Sequence, residues 1–388
     1  MDDSSVWPVP LAAVGAGGAA VGEQYLSEAS GSTGVSLSAA GGWVKANSGI
    51  NGIFRVAYDD ALLAKLCTAP AAGGAAPITT LSAQDRMGLV GDAFALAKAG
   101  FASTVAALKM LSGYQGDMSR IVVVAILEGL NDVSSIMFQE PEAVQANFRK
   151  FQLKLFSPLA AKLGWAPSAD DSHEVALLRP VVLRRAGSLG DEAVVAECQA
   201  LFLKYAAGDA DAIHPDLRHA VFSTVLKKGG RAEFDALVKL YAEADAADQK
   251  VIILRSLGAT VDTELMQAVL DFTMTGDAVR DQDIYIPIAY LAGNTAGREF
   301  CYEWFCKNFE MLHDRFYKGS FLFGRIISSV CSNFASYERA DEIEKMMDEC
   351  KLELKSVKRS ISQSVECIRA NARWLGDCKE SVAAYVAE

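Results

Sequence analysis

From Tyr58 onward, apolar residues recur every three or four positions in about fifteen segments of roughly 10 to 20 residues, broken by Gly, Asp or Pro. Segments 82–99, 101–111, 120–138, 142–163, 192–206, 217–227 and 233–244 show this period most clearly. Each predicts a helix with one apolar stripe, which must be buried against a neighbour. Successive helices with no strand pattern between them predict a mostly α fold, an α-solenoid bowl of helix pairs of HEAT or armadillo kind, although no fixed repeat length recurs. The first 57 residues differ. Ten of the chain's 31 glycines precede position 53, and short β-branched or aromatic runs at 7–10, 35–38, 43–45 and 53–58 alternate with Gly, Ser and Asn clusters. Asn51-Gly52 reads as a hairpin turn. About four strands are few for a two-sheet sandwich, so the expectation is a small partial β-sandwich over 1–57, followed by an α-helical superhelical domain over 58–388. The Ala, Gly and Pro run at 68–77 predicts a flexible loop.

Composition narrows the classes. With 51% hydrophobic and 22% charged residues, the chain can bury a sizeable core. Its 37 Lys and Arg against 48 Asp and Glu leave a net charge of −11, which argues against a nucleic-acid partner, because phosphate contacts need a basic surface. Asp2 and Asp3 stand where a secretory signal would be basic, and the uncharged stretch 11–22 is glycine-broken and too short for a bilayer. No membrane partner is expected. Eight cysteines without framework spacing suit a reducing compartment, so the expected location is cytoplasmic.

Catalytic signatures are few. His173-Glu174-Val175-Ala176-Leu177 has Leu where a His-Glu-x-x-His zinc helix needs its second ligand. His214 and His219, like Cys301 and Cys306, are five apart, roughly 140° around a helix, and share no face for one metal. No Gly-x-Gly-x-x-Gly follows a strand, no Walker-type Gly-Lys-Ser occurs, and no Gly-x-Ser-x-Gly occurs. A nucleotide-using enzyme therefore has no motif behind it. No catalytic residue, metal ligand or cofactor site is assigned to the chain.

Several segments, in order along the chain, carry a resemblance. They are Trp43-Val44-Lys45-Ala46-Asn47, Gly52-Ile53-Phe54-Arg55-Val56-Ala57-Tyr58, Leu81-Ser82-Ala83-Gln84-Asp85-Arg86 with Asp92, and Phe156-Ser157-Pro158 with Leu163-Gly164-Trp165. His173, Leu178-Arg179, Asp216-Leu217-Arg218, Leu257-Gly258-Ala259-Thr260 and the run from Gly319 through Phe321 and Arg325 to Ile327 follow. Arg359, Ile361, Gln363, Glu366, Ile368, Asn371 and Trp374-Leu375 complete the series. Together they resemble the C-terminal half of zinc metallo-aminopeptidases of the puromycin-sensitive aminopeptidase type. The resemblance implies the end of that family's β-sandwich and its helical domain. It also implies that the zinc helix, the Gly-x-Met-Glu-Asn loop and the proton-donating tyrosine belong to parts preceding the region matched. On this reading the chain is a fragment of a larger enzyme, inactive alone. It walls the chamber in which the parent removes N-terminal residues from peptides, the missing catalytic domain is its partner, and zinc is the parent's cofactor.

Three residues are expected to contact substrate. In 321–334, Leu322, Phe323, Ile326, Ile327, Val330 and Phe334 form an apolar stripe, leaving Gly324, Arg325, Ser328, Ser329 and Ser332 on a small polar face. The resemblance places that face on the concave side of the bowl, where Arg325, with Phe321 beside it, would hold a peptide carboxylate through bidentate donors. The competing reading is a structural arginine paired to a neighbouring helix. Arg359 lies in a basic helix, 355–374, that is either a solvated face or a contact for an acidic partner surface or a peptide terminus. Asp85-Arg86 reads as an interhelical pair. A sandwich lacking its upstream strand would present an edge, and edges pair with other copies, so a homodimer through 1–57 is expected. The alternative for the whole chain is a stand-alone helical-repeat module that binds a peptide or protein.

Overall fold

The computed structural model describes residues 6–16, 20–34, 42–67, 77–168, 170–276, 278–317 and 321–388. The expected strand at 35–38, most of the loop at 68–77, and Gly319-Ser320 lie outside or largely outside them. Three strands, β1 (Val9–Val14), β2 (Ala20–Leu26) and β3 (Lys45–Ala46), form an antiparallel sheet in the order β2-β1-β3. Helices α1 (Asp60–Cys67), α2 (Ala83–Lys98), α3 (Thr104–Met110), α4 (Arg120–Ile136), α5 (Glu142–Leu163) and α6 (His173–Leu189) follow. Next come α7 (Glu192–Ala206), α8 (Arg218–Lys228), α9 (Arg231–Glu243), α10 (Ala247–Leu257), α11 (Thr263–Met274) and α12 (Tyr285–Gly293). The last are α13 (Arg298–Lys307), α14 (Phe309–Phe316), α15 (Leu322–Cys331), α16 (Tyr337–Asp348) and α17 (Lys358–Ala387). A mostly helical chain with a small sheet is thus what the periodicity predicts. The starts are set by side-chain caps: Ser82, Ser103, Ser172, Asp191, Asp262 and Ser336 each accept a backbone N–H of the first turn.

Packing divides the chain into two compact units, 1–133 with 377–388, and 134–376. In the first unit the sheet is tied to α2 by buried charge. Lys45 Nζ donates to Asp85 at 2.7 Å, Asp85 also accepts from Gly49 N at 2.7 Å and from Ser82 Oγ at 2.7 Å, and both Lys45 and Asp85 are buried. Arg86 turns the other way, to Asp117 at 2.7 Å and the Leu81 carbonyl at 2.6 Å. Asp85 and Arg86 are therefore structural, but their partners lie on a strand and on the loop before α4, not on a facing helix.

Two of the expected β features take another form in the structure. Residues 53–58 are not a strand, although their exposure alternates along the run. The segment docks on α2 through side chains, Asp92 accepting from Val56 N at 3.2 Å and from Arg55 at 3.0 Å, and Tyr58 Oη accepting from Ala46 N at 3.0 Å. Asn51-Gly52 is not a hairpin turn. Asn47, left-handed at φ 52°, brackets Gly52 by accepting from its N–H at 2.9 Å and donating to its carbonyl at 3.0 Å.

The second unit is a double row. Helices α6, α8, α10, α12 and α15 are successive neighbours in one row, and α5, α7, α9, α11 and α13 pack against them from the other. The rows meet closely, and so do neighbours within a row: a Cβ on Gly258, at the end of α10, would stand 2.3 Å from Tyr290 Cβ and 2.8 Å from Leu291 N on α12. The core lies between the rows, with Leu183, Phe222, Leu254, Ile288 and Phe305 almost wholly buried.

Candidate functional site

On α15 the apolar stripe is buried: Phe323, Ile326, Ile327 and Val330 are at most 1% exposed. The opposite side is only partly open: Gly324 is buried and Ser332 donates to Ser364 on α17 at 3.0 Å. Phe321 caps the helix with 72% of its surface exposed, and Arg325, one turn on, is also exposed. The Arg325 guanidinium lies over two rings, 5.0 Å from the centre of Tyr285 on α12 and 4.9 Å from that of Phe321. Among the described residues it has no hydrogen bond and no carboxylate partner. Rings hold a guanidinium by its faces and leave its N–H rim free for an incoming acceptor. The neighbouring-helix partner of this arginine is thus aromatic.

Arg359 is exposed in the first turn of α17 and has no ion pair among the described residues. Its neighbour Ser360 packs on α15, where Gly324 leaves room; a Cβ there would meet Ser360 Oγ at 2.9 Å. Among the described residues no hydrogen bond or ring contact joins Arg359 to Arg325 or Phe321. Elsewhere on α17, Arg369 is already partnered, reaching Asp341 and Glu344 on α16 at 2.7 Å each.

Tyr285 was not singled out by the sequence pattern, since its role depends on a contact between two helices distant in sequence. The same holds for a group on the α6 row. Arg184, His219, Arg255 and Tyr290 come from four successive helices of that row, and the rings of His219 and Tyr290 lie 5.9 Å apart. Burial first, then Arg184 and Arg255, hold His219 down to about 3, so its imidazole is neutral at neutral pH.

Among the described residues no three His, Cys, Asp or Glu side chains converge as metal ligands. His173 opens α6, His214 accepts from Asp216 N at 3.3 Å, and His313 stacks on Tyr317 at 4.4 Å. Every cysteine is free, and burial pushes the thiols of Cys67, Cys198 and Cys301 up to about 12, away from thiolate chemistry. These donors, among the described residues, do not fit a zinc centre.

The described residues thus form a paired-helix array after a small sheet, with an exposed arginine set between two rings. Residues 43–370 match the family described as the ERAP1-like C-terminal domain, and the chain belongs to that family. It is 30% identical over 373 residues to Aminopeptidase 2 of Candida albicans, covering 96% of this chain and 39% of that protein. Alanine/arginine aminopeptidase of Saccharomyces cerevisiae is 29% identical over 344 residues, 89% of this chain and 39% of its own length. Aminopeptidase M1 of Arabidopsis thaliana is 30% identical over 342 residues, 87% and 38% respectively. The chain therefore spans about two-fifths of the curated relatives it matches. No helix among the described residues is long and apolar enough to cross a membrane.

Proposed function

We propose that the chain is the non-catalytic C-terminal region of a zinc-dependent aminopeptidase, walling the peptide chamber and contacting the peptide away from the scissile bond. The carrying observation is the family match over 43–370, in a chain whose matched relatives bear the name aminopeptidase. Arg325, steadied by Tyr285 and Phe321, would bind a carboxylate at the distal end of the peptide, with Arg359 as a second cation. Zinc in the parent, a cytoplasmic location and self-association through the sheet edge belong to the same reading.

A contact far from the reacting bond adds binding without changing the chemical step. Arg325→Ala in the full-length parent is therefore expected to raise KM about ten- to a hundredfold for peptides with a free C-terminus, the worth of one charge-assisted hydrogen bond. It should spare single aminoacyl amides. Equal loss on both substrates would mark a folding defect and end the role given to Arg325.

A further inference from the structure

Charge in the second unit is unevenly spread among its helices. The helices α6, α8, α10, α12 and α15 carry nine Lys or Arg and only two acids, Glu174 and Asp248. In a chain of net charge −11 this is a reversal. On α9, α11, α14 and α16, by contrast, acids outnumber bases.

The cations of the α6 row are not solitary surface lysines. The ring contact between the half-buried His219 on α8 and the exposed Tyr290 on α12 spans α10, so α8, α10 and α12 share one face there. Arg255 projects from α10 and Arg184 from α6 into the neighbourhood of His219, and both are open to solvent. Neither arginine has a hydrogen bond or ion pair among the described residues. The line continues: Arg185, beside Arg184, donates to Gln152 Oε1, and Lys227 donates to the Ser188 carbonyl at 2.8 Å. Burial first, and then the neighbouring cations, lower the protonation of Arg185 and Lys227, the latter to about 8. Such a line of like charges is strained by its own repulsion, and an anion would relieve it.

At the amino-terminal ends of the same helices lies a cleft of about 440 Å³, lined by Leu177, Pro180, Arg218, Asp216, Asp248 and Ile252. Arg218 Nε is buried there without a partner among the described residues, while its guanidinium lies 5.2 Å from the ring centre of Tyr205. Asp216 and Asp248 bound the basic line on this side, Arg255 standing two turns, roughly 10 Å of helix, beyond Asp248.

We propose that this face binds an acidic peptide segment, with Arg184 and Arg255 taking its Asp or Glu side chains and Leu177, Pro180 and Ile252 offering an apolar seat beside them. A run of cations along successive helices suits several carboxylates better than the single one of a chain terminus. That the occupant is a peptide rests on the function proposed above.

The test uses the full chain and four fluorescein-labelled decapeptides: an Asp/Glu-rich sequence and its Asn/Gln isostere, each with free or amidated C-terminus. Anisotropy titrations at low salt should show the acidic pair binding at least about tenfold tighter than the isosteres, the difference shrinking as salt screens it. Amidation should change affinity less than about threefold, since the side-chain carboxylates carry the charge. Arg184→Gln with Arg255→Gln should abolish the acidic preference, Arg184→Lys with Arg255→Lys should keep most of it, and Lys239→Gln on α9 should leave it intact, with unchanged circular dichroism in each case. Equal binding of acidic and neutral peptides, or survival of the preference in the double Gln variant, overturns this inference alone. Loss on amidation assigns the site to a terminal carboxylate and overturns it as well. Failure of every peptide to bind overturns it together with the peptide-contact reading.

Discussion

Asp85→Ala is expected to cost about 3–5 kcal/mol of folding stability, the loss that follows when one member of a buried ion pair is removed and the other stays buried. Lys45 would be left among the sheet and α2 with only the Asn47 carbonyl, at 2.5 Å, as an acceptor. Gly49 N and Ser82 Oγ would lose their acceptor at the same time. Burial alone would raise the Asp85 carboxyl, but the donors Lys45, Ser82 and Gly49 outweigh it and hold the group below its usual 3.8. A depressed carboxylate contributes stability that is present above the unfolded-state value and is lost as pH falls through the folded one. The wild-type advantage over Asp85→Ala should therefore be full at pH 7 and fade below about pH 4. Urea unfolding of Asp85→Ala, Lys45→Met and the double variant checks this. The double variant should lose clearly less than the two single losses added, and strict additivity would mean that the pair is not coupled.

The second large effect is expected at Gly258. A Cβ there would meet Tyr290 Cβ and the Leu291 backbone, neither of which is the movable end of a side chain, so α10 and α12 must separate. Overpacking of this kind costs about 1–3 kcal/mol, and Gly258→Val, with a branched side chain facing backbone, should lie at the upper end. Because Tyr290 also meets His219, the same substitution should weaken acidic-peptide binding in the anisotropy assay even at temperatures where the chain stays folded. Unchanged melting of the Gly258→Val variant would show that the helices yield freely at this crossing.

Helix positions were legible because an amphipathic stripe is a local signal: 142–163 and 192–206 coincide with α5 and α7 to the residue. Cap residues such as Ser82 and Ser172 sharpened the starts. The strand pattern misled at 53–58, where a period of two is real but the partner is a helix, and ladder hydrogen bonds are replaced by Asp92 and the Ala46 backbone. The Asn51-Gly52 dipeptide misled for a similar reason: the turn chemistry is supplied by Asn47, earlier in the chain, which the dipeptide signal ignores. Arg325 was visible as the one charge on a small polar face, whereas its clamp was not, since Tyr285 stands on another helix. The line from Arg255 to Lys227 is not legible in sequence because α6, α8 and α10 taken singly show at most three bases each; only alternate helices considered together reveal the row. The segments that carry the family resemblance do double duty as joints, Lys45 and Asp85 tying sheet to α2 and Gly258 setting the approach of α10 to α12.

On the function proposed above, this chain would contribute peptide contacts and leave the chemistry to the rest of the parent enzyme. The most direct measurement is turnover of a fluorogenic aminoacyl amide by the purified chain, with and without added zinc, beside a full-length relative as positive control. The account predicts no turnover above the blank in either condition, because the donors in the described residues do not assemble a zinc centre. Zinc-dependent turnover that a chelator abolishes would contradict it.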